Sequence, residues 1–284
     1  AEIAPVITIN STRGCPFACM FCGVANTKFR GIDADRLVNY IQELKYIHGA
    51  KGIYFREDNF TVVPKRVEQF CDLLISENLN IKWACESRVN NLKPALIEKM
   101  AKAGCVGLYI GIESGSERML KYMKKGERRE HFIDKIPIFK SNGMATYTTW
   151  VFGLPSETEK DRYDSEKFIE LLKPTVADTF VYLGQPGSDF YKMINASKGY
   201  EFKEKNGLFY VPGFIHLAKR VYGINDPRVA FVENLFEENK IKPGPLEPYY
   251  IEENVYNGLA TLKVRDQLSE NPIKNNATLE AAVS

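Results

Sequence analysis

The chain lacks long hydrophobic runs, a surplus of one charge and a dense set of cysteines. No apolar stretch approaches the roughly 18 residues that cross a membrane. The start, AEIAPVITIN, has no basic segment followed by an apolar core, as a secretory signal would. A net charge of only +2 over 284 residues gives no support for a nucleic-acid or membrane-surface partner. Six cysteines are too few for a secreted disulfide framework. We therefore expect a cytoplasmic protein, with no membrane and no nucleic acid among its partners.

One local basic run, KYMKKGERR (121–129), is the best candidate for a charged patch. Because it follows a helical pattern, we interpret it as the solvated end of a helix. Apolar residues make up 44% of the chain and charged residues 26%, which is typical of an ordinary globular protein.

Apolar, β-branched runs alternate with helical patterns over most of the chain. The strand-like runs are 4–10, 51–58, 81–89, 106–113, 145–153 and 178–185. Such alternation indicates a parallel sheet with helical crossovers, either a barrel or an open doubly wound sheet. Six units fall short of the eight that close a full barrel. We therefore predict an α/β fold, a partial (β/α)6 barrel of parallel strands with a C-terminal extension, and ligands at the carboxyl ends of the strands.

The regular alternation fades after about residue 190, so we divide the chain into a core of residues 1–191 and an extension of residues 192–284. Within the extension, 197–213 is typical of a hairpin or an irregular segment, and 214–223 and 227–240 are typical of helices. About 15 residues at the end are polar, and we expect them to be loose. We expect the extension to shape the substrate pocket or an oligomer contact.

Three of the six cysteines, Cys15, Cys19 and Cys22, lie close together in STRGCPFACMFCGV (11–24). A zinc site usually needs four ligands, often as two pairs, and no second pair exists here. A thioredoxin-like redox motif needs only two cysteines. Three thiolates on a tight loop match instead three irons of a 4Fe–4S cluster. The fourth iron would then keep an open position, where substrate chemistry can take place. An incidental group of cysteines and a partial zinc site are the alternatives.

The stretch CPFACMFC resembles the CxxxCxxC motif of the radical S-adenosylmethionine (radical SAM) superfamily, including the aromatic Phe21 before the last cysteine. Over roughly residues 5–191 the chain resembles a lineage that includes cobalamin-binding and sugar- or aminoglycoside-modifying enzymes. The stretches that carry this resemblance are YFREDNFT (54–61), WACESRVNNL (83–92), AGCVGLYIGIESGSERML (103–120), VFGLPSET (151–158) and QPGSDFY (185–191). The resemblance implies a 4Fe–4S cluster on Cys15, Cys19 and Cys22, with S-adenosyl-L-methionine as the second cofactor. It also implies an electron donor such as flavodoxin or ferredoxin, and a 5′-deoxyadenosyl radical that removes hydrogen from the substrate.

The same resemblance implies contacts to the S-adenosylmethionine molecule at the ends of later strands. Glu57 and Asp58 would meet its amino group, because carboxylates accept hydrogen bonds from an ammonium. Glu86 and Arg88 are two residues apart on one strand and so face the same way. Arg88 would hold the methionine carboxylate, and a structural ion pair is the alternative for these two residues. The remaining implied cofactor contacts are Phe21, Glu113, Ser114, Val151 and Phe152.

No catalytic residue can be assigned from the sequence, but polar side chains on the late strands are candidates for the substrate side. These candidates are Tyr147, Thr149, Tyr182 and Gln185.

Four functions stay open at this point. The one we predict is a radical SAM enzyme that acts on a small molecule, such as a sugar, an aminocyclitol or a related natural-product intermediate. Its reaction would be a dehydration, epimerisation, dehydrogenation or rearrangement. The second is a cobalamin-dependent radical SAM methyltransferase whose cobalamin domain is missing from this chain or lies on another, so cobalamin stays open but is not predicted in this chain. The others are a tRNA-modifying radical SAM enzyme and a non-enzymatic metal-binding module.

Overall fold

The computed structural model describes residues 4–182, 185, 187–195, 203–210, 215, 218–219 and 224–243. Strand β1 (Val6–Ile9) leads into a short antiparallel pair, β2 (Thr12–Arg13) and β3 (Arg30–Gly31). The later strands of the core are β4 (Gly52–Phe55), β5 (Lys82–Ser87), β6 (Cys105–Glu113), β7 (Ala145–Phe152) and β8 (Val176–Val181). One six-stranded sheet runs in the order β1, β4, β5, β6, β7, β8, and every neighbouring pair in it is parallel.

Helices connect the parallel strands, as a parallel sheet requires. They are α1 (Ala34–Tyr46), α2 (Pro64–Ser76), α3 (Pro94–Lys102), α4 (Glu117–Tyr122), α5 (Arg129–Ser141) and α6 (Glu159–Leu172). Proline opens α2 and α3, where its missing N–H costs no hydrogen bond. Contacts run from α1 to α2, α2 to α3, α3 to α5 and α5 to α6, so these helices form one layer.

The core lies between this helical layer and one face of the sheet. Phe55, Phe60, Phe70 and Trp83 interlock there, with ring centroids 4.6 to 5.8 Å apart. The Trp83 indole donates a hydrogen bond of 2.9 Å to the Ala103 carbonyl, which satisfies its one polar group.

The opposite face of the sheet is less buried and more polar, because side chains alternate along each strand. We call it the inner face. Half-buried side chains define it: Tyr54, Glu86, Tyr109, Tyr147 and Asp178. Their strand neighbours on the other face, such as Phe55, Cys85 and Ile110, are fully buried.

The predicted α/β fold with six parallel strands is confirmed, and each strand lies within or close to its predicted run. The β2–β3 pair was not predicted, because two-residue strands leave no periodic pattern. The sequence interpretation placed Arg88 on a strand, but β5 ends at Ser87 and Arg88 is the next residue along.

Beyond β8, the structure describes α7 (Asp189–Asn195), the antiparallel strands β9 (Lys203–Lys205) and β10 (Leu208–Tyr210), and α8 (Pro227–Glu238). The expected hairpin and the helix at 227–240 are therefore confirmed. The predicted helix at 214–223 and the polar end of the chain fall largely or wholly outside the described residues. The division into core and extension stays a prediction. Within the described residues, no helix is long and apolar enough to cross a membrane.

Candidate functional site

The three cysteines lie on one loop, residues 14–29, whose two ends are joined by the β2–β3 pair beyond the carboxyl end of β1. Cys15 and Cys19 are buried, and Cys22 is half-buried. The loop is closed on itself, because the Thr27 N–H donates to the Cys15 carbonyl at 3.0 Å and the Asn26 N–H donates to the Phe17 carbonyl at 2.9 Å.

Gly14 is required at the neck of this loop. Its φ is +84°, and an added Cβ would lie 2.3 Å from the Lys28 carbonyl oxygen. A residue with a side chain is strained at such a φ and would collide with this backbone. The two ends of the cysteine loop can therefore approach closely only because glycine stands here.

Glu57 anchors the entrance to the cysteine loop. Its Oε1 accepts hydrogen bonds of 2.6 Å from the Ser11 N–H and from the Ser11 hydroxyl, and its Oε2 accepts one from the Thr12 hydroxyl. The Arg66 guanidinium donates to the Ser11 hydroxyl oxygen at 2.8 Å and extends this buried network. Asp58 continues the anchor, because its Oδ2 accepts from the Gly14 N–H at 2.7 Å. Both acids thus bind the loop itself.

Arg88 brings a buried positive charge to the cysteines. Its Nη1 lies 3.1 Å from Cys19 Sγ. Its Nη2 donates to the Lys125 carbonyl and lies 3.4 Å from Glu127 Oε2. The guanidinium also packs over the Phe17 ring, 4.1 Å from the ring centroid. The predicted Glu86–Arg88 pair is absent from the ion pairs of the described residues, because Glu86 lies on the inner face and accepts from the Tyr54 hydroxyl at 2.8 Å.

Lys125 and Glu127 continue this buried chain of charges, and the sequence analysis missed both. Lys125 Nζ lies 3.6 Å from Glu127 Oε2 and 3.4 Å from Glu113 Oε1. Glu127 Oε1 accepts from the backbone N–H groups of Val89 and Asn90 at 2.8 and 3.1 Å.

The interpretation of 121–129 as a solvated helix end is therefore wrong for these two residues, which are only 3% and 2% exposed. The available sequence signal was Gly126, which stands between Lys125 and the acidic Glu127. In the structure its φ is +71°. That pattern marks a turn, yet it does not say that the turn is buried.

Glu113 ends β6 in a left-handed conformation, with a φ of +72°. Burial raises the pKa of its carboxyl, against the opposing effect of Lys125. The Thr149 hydroxyl donates to its Oε2 at 3.4 Å. The neighbouring Ser114 is fully buried, and its hydroxyl lies 3.2 Å from the Ser165 hydroxyl on α6. Glu113, rather than Ser114, therefore joins the charge chain that leads to Cys19.

The other implied adenine and substrate positions are spread along the carboxyl ends of β7 and β8. Val151 is half-buried, Phe152 is buried in the core, and the Phe152 carbonyl accepts from the Tyr182 N–H at 2.8 Å. Gln185 reaches the cysteine loop, because its Oε1 accepts from the Gly23 N–H at 2.7 Å. Phe21 is half-buried and lies 5.9 Å from Lys125 Nζ, measured to the ring centroid.

The inner face carries phenols paired with carboxylates. The Tyr147 hydroxyl donates to Asp178 Oδ2, and the Tyr147 ring stacks on Tyr109 with centroids 4.2 Å apart. Burial raises the pKa of Tyr109 to about 12 and raises that of Glu86 above its ordinary value. These phenols are therefore protonated at neutral pH and act as hydrogen-bond donors.

Three cysteines on one loop are a donor set that fits an iron–sulfur cluster, because cysteine thiolates are its usual ligands. Across the described ranges, no three His, Cys, Asp or Glu side chains gather as they would around one ion. In a 4Fe–4S cluster, each cysteine binds a different iron. The cysteine sulfurs therefore lie further apart than three ligands of one metal ion do.

A second observation also fits an anionic group at this site. The buried Arg88 Nε has no hydrogen-bond partner among the described residues. A buried donor left without an acceptor costs about 1–3 kcal/mol. Burial raises the pKa of the Cys15 and Cys22 thiols, so iron would supply the stabilisation that their thiolate forms lack here.

Comparison with known proteins points to the same chemistry. A family model described as the radical SAM superfamily matches residues 9–169. An uncharacterised methyltransferase, PH0819, of Pyrococcus horikoshii is 30% identical over 195 residues, which cover 68% of this chain and 42% of that protein.

Solved structures share the fold. The radical S-adenosylmethionine methyltransferase TsrM from Kitasatospora setae, with tryptophan and a SAM analogue bound, matches with a TM-score of 0.64 at 16% identity, over 92% of this chain and 52% of that one. The cobalamin-dependent S-adenosylmethionine radical enzyme OxsB matches with a TM-score of 0.59 at 14% identity, over 98% of this chain and 55% of that one. The chain spans less than half the length of the curated relatives that it matches.

Proposed function

The chain belongs to the radical SAM superfamily, and we propose that it is an enzyme whose Cys15, Cys19 and Cys22 hold a 4Fe–4S cluster for radical chemistry on a small-molecule substrate. When bound, the cluster would supply one electron for cleavage of a carbon–sulfur bond of S-adenosylmethionine, which would release methionine and leave a 5′-deoxyadenosyl radical able to take a hydrogen atom from the substrate. The observation that carries this proposal is the three-cysteine loop beyond β1, with the Arg88 guanidinium 3.1 Å from Cys19 Sγ.

Glu57 and Asp58 bind the cysteine loop itself, and any contact with a ligand would be additional. Their carboxylates accept hydrogen bonds from Ser11, Thr12 and Gly14 at its entrance. They keep the loop at the sheet end, so their proposed contact with the amino group of S-adenosylmethionine would use lone pairs that these bonds leave free. Glu57 Oε2 and Asp58 Oδ2 each accept one of these bonds and so have room for a second donor, whereas Glu57 Oε1 already accepts two.

Glu113 is the strongest of the proposed cofactor contacts on the later strands. It lies at the carboxyl end of β6, where ligands of parallel α/β folds bind. Lys125 holds its carboxylate in place at 3.4 Å. We propose that it accepts hydrogen bonds from the ribose hydroxyls. Val151 is half-buried and suits packing on adenine, whereas Phe152 is in the core and would contribute backbone groups.

The inner face is the proposed substrate side. Glu86 and Asp178 have no ion-pair partner within the described residues, and each accepts a hydrogen bond from a tyrosine hydroxyl. Such a face presents acceptors and a partial negative charge. It therefore suits a substrate rich in hydroxyl or amino donors, such as a sugar or an aminocyclitol, and disfavours an anionic one.

A second candidate is methyl transfer with cobalamin. The name of the Pyrococcus horikoshii relative favours methyl transfer, because that protein is described as a methyltransferase, and OxsB, which shares the fold, is described as cobalamin-dependent. Reconstitution with hydroxocobalamin, followed by desalting, separates the two candidates. Corrinoid absorbance that stays with the chain favours methyl transfer, and its loss favours chemistry on S-adenosylmethionine alone.

The deciding experiment is anaerobic reconstitution with iron and sulfide, followed by addition of S-adenosylmethionine and dithionite. We expect 5′-deoxyadenosine, measured by chromatography and mass spectrometry. Cys19→Ala should lose both bound iron and this product. Cys71→Ala is the matched control, because Cys71 is buried on α2, away from the loop, and its variant should keep both. A wild-type chain that holds an intact cluster yet forms no 5′-deoxyadenosine would refute the radical function.

A further inference from the structure

We propose that Arg88 is a positioning residue that donates a hydrogen bond to the Cys19 sulfur and thereby raises the reduction potential of the cluster. This inference rests on the proposed function, since it needs a cluster on the cysteine loop. It goes beyond the contact with a methionine carboxylate that the family resemblance implies for Arg88.

The contact suits an anionic sulfur better than a neutral thiol. Arg88 Nη1 lies 3.1 Å from Cys19 Sγ, and both residues are buried. A neutral thiol is a weak acceptor, so it compensates poorly for a buried guanidinium N–H. A thiolate bound to iron is a much better acceptor, because hydrogen bonds to an ionised partner are shorter and stronger.

The guanidinium is held on three sides and has little freedom to turn away. Its Nη2 donates to the Lys125 carbonyl, and Glu127 Oε2 lies 3.4 Å from the same atom. Phe17 stacks against its face with the ring centroid 4.1 Å from Cζ. Phe17 lies between Cys15 and Cys19 in the chain, so the cysteine loop itself forms one wall of this clamp.

Glu127 fixes the clamp to the backbone. Its Oε1 accepts from the N–H groups of Val89 and Asn90, directly after Arg88 in the chain. Lys125 pairs with the second carboxylate, since its Nζ lies 3.4 Å from Glu113 Oε1. Two cations and two carboxylates are therefore paired before any ligand binds. The hydrogen bond to sulfur is an addition to this balanced chain. A lysine at position 88 would keep a positive charge beside Glu127.

The effect on the cluster follows from charge. Reduction adds one electron, taken from a low-potential donor of the flavodoxin or ferredoxin class, and no proton is required. The reduced cluster is more negative, so an N–H donor and a positive charge at a ligand sulfur stabilise it more than the oxidised cluster. The potential is therefore higher with Arg88 than without it.

The test is a redox titration of the reconstituted full chain without S-adenosylmethionine, followed by electron paramagnetic resonance. Arg88→Gln should shift the midpoint to more negative potential. Arg88→Lys keeps the positive charge but loses the planar guanidinium group, so it should shift the midpoint less. If Arg88→Gln takes up no iron, the midpoint of Arg88→Lys is the one to compare with wild type. Arg129→Gln is the matched control, because Arg129 also packs over a phenylalanine, 4.3 Å from the Phe168 centroid, and donates to the Gly115 carbonyl at 2.8 Å.

Equal midpoints in wild type, Arg88→Gln and Arg88→Lys would overturn the inference, and so would a shift of the same size in Arg129→Gln. Loss of S-adenosylmethionine binding with an unchanged midpoint would also overturn it, and would assign Arg88 to the methionine carboxylate instead. A wild-type chain that binds no iron and sulfide would refute the proposed function together with this inference. If the wild-type chain holds the cluster and the Arg88 variants have the wild-type midpoint potential, only the inference is refuted.

Discussion

Glu57 accepts two hydrogen bonds from Ser11, one from its backbone N–H and one from its hydroxyl, each of 2.6 Å. This buried pair joins the segment after β4 to the entrance of the cysteine loop, 46 residues earlier in the chain. The loop therefore depends on an acid outside it for its position at the sheet.

Replacing Glu57 with alanine should loosen the cysteine loop. The Ser11 N–H would lose its charged acceptor, and we expect a loss of about 3 kcal/mol in the free energy of unfolding, measured with urea. Reaction of the loop thiols with a thiol reagent should also become faster. Asp72→Ala is the control, because Asp72 makes a surface ion pair of 2.8 Å with Lys99, worth about 0–1 kcal/mol. An unchanged thiol reaction rate would contradict the anchoring role.

Glu127 offers a sharp test of burial in the run 121–129. Glu127→Ala leaves Arg88 and Lys125 without their shared carboxylate, and we expect a loss of about 3–5 kcal/mol in the free energy of unfolding. Glu130→Ala is the control, since the Arg128–Glu130 ion pair of 3.8 Å is exposed and should contribute under about 1 kcal/mol. Equal losses in the two variants would mean that Glu127 is not buried among these charges.

Glu157 should make stability depend on pH. Burial raises the pKa of its carboxyl to about 8, although the carboxylate accepts from the Gly153 N–H at 2.6 Å. In the unfolded chain this pKa is about 4.3. Between these values the folded state holds a proton that the unfolded state has lost, so the contribution of Glu157 to stability falls as the pH rises. Above about pH 8 the contribution is constant.

The variant Glu157→Gln should remove this dependence. Relative to wild type, its free energy of unfolding should increase between pH 5 and pH 8, by up to about 1.4 kcal/mol per pH unit. Urea titrations at several pH values measure it. Glu170→Gln serves as the control, because its ion pair with Lys167 is half-exposed. A difference between wild type and Glu157→Gln that does not change with pH would show that this carboxyl is ionised when folded.

The Tyr147–Asp178 pair on the inner face should be energetically coupled. A hydrogen bond to a charged group contributes about 1.5–3 kcal/mol. A double-mutant cycle with Tyr147→Phe and Asp178→Asn should therefore give a coupling of at least about 1 kcal/mol in the free energy of unfolding. Tyr163→Phe, at an exposed position on α6, should change little. Bound iron should stay at the wild-type level in each variant, because this pair lies on the proposed substrate side. A loss of iron would contradict that proposal.

Several features of the site could be predicted from local patterns. The spacing of Cys15, Cys19 and Cys22 lies within one loop, and it indicated an iron–sulfur cluster without any tertiary contact. Glu113 was proposed as a cofactor contact because the segment around it resembles the radical SAM family. Lys125 and Glu127 could not be found in this way. The local sequence around a glycine is the same whether its charged neighbours face solvent or are buried beside Arg88.

The sequence by itself determined the order of the elements and predicted the candidate sulfur donors. Alternating strand and helix patterns predict a parallel sheet, and such patterns are local in the chain. Only the tertiary structure decided the partners of the charged residues. Glu57 binds Ser11 at the entrance of the cysteine loop, and Arg88 pairs with Glu127 and not with Glu86. These contacts join residues far apart in the chain, and they depend on where strands end and which turns are buried. The energy of a buried charge is set by that packing, so no local pattern records it.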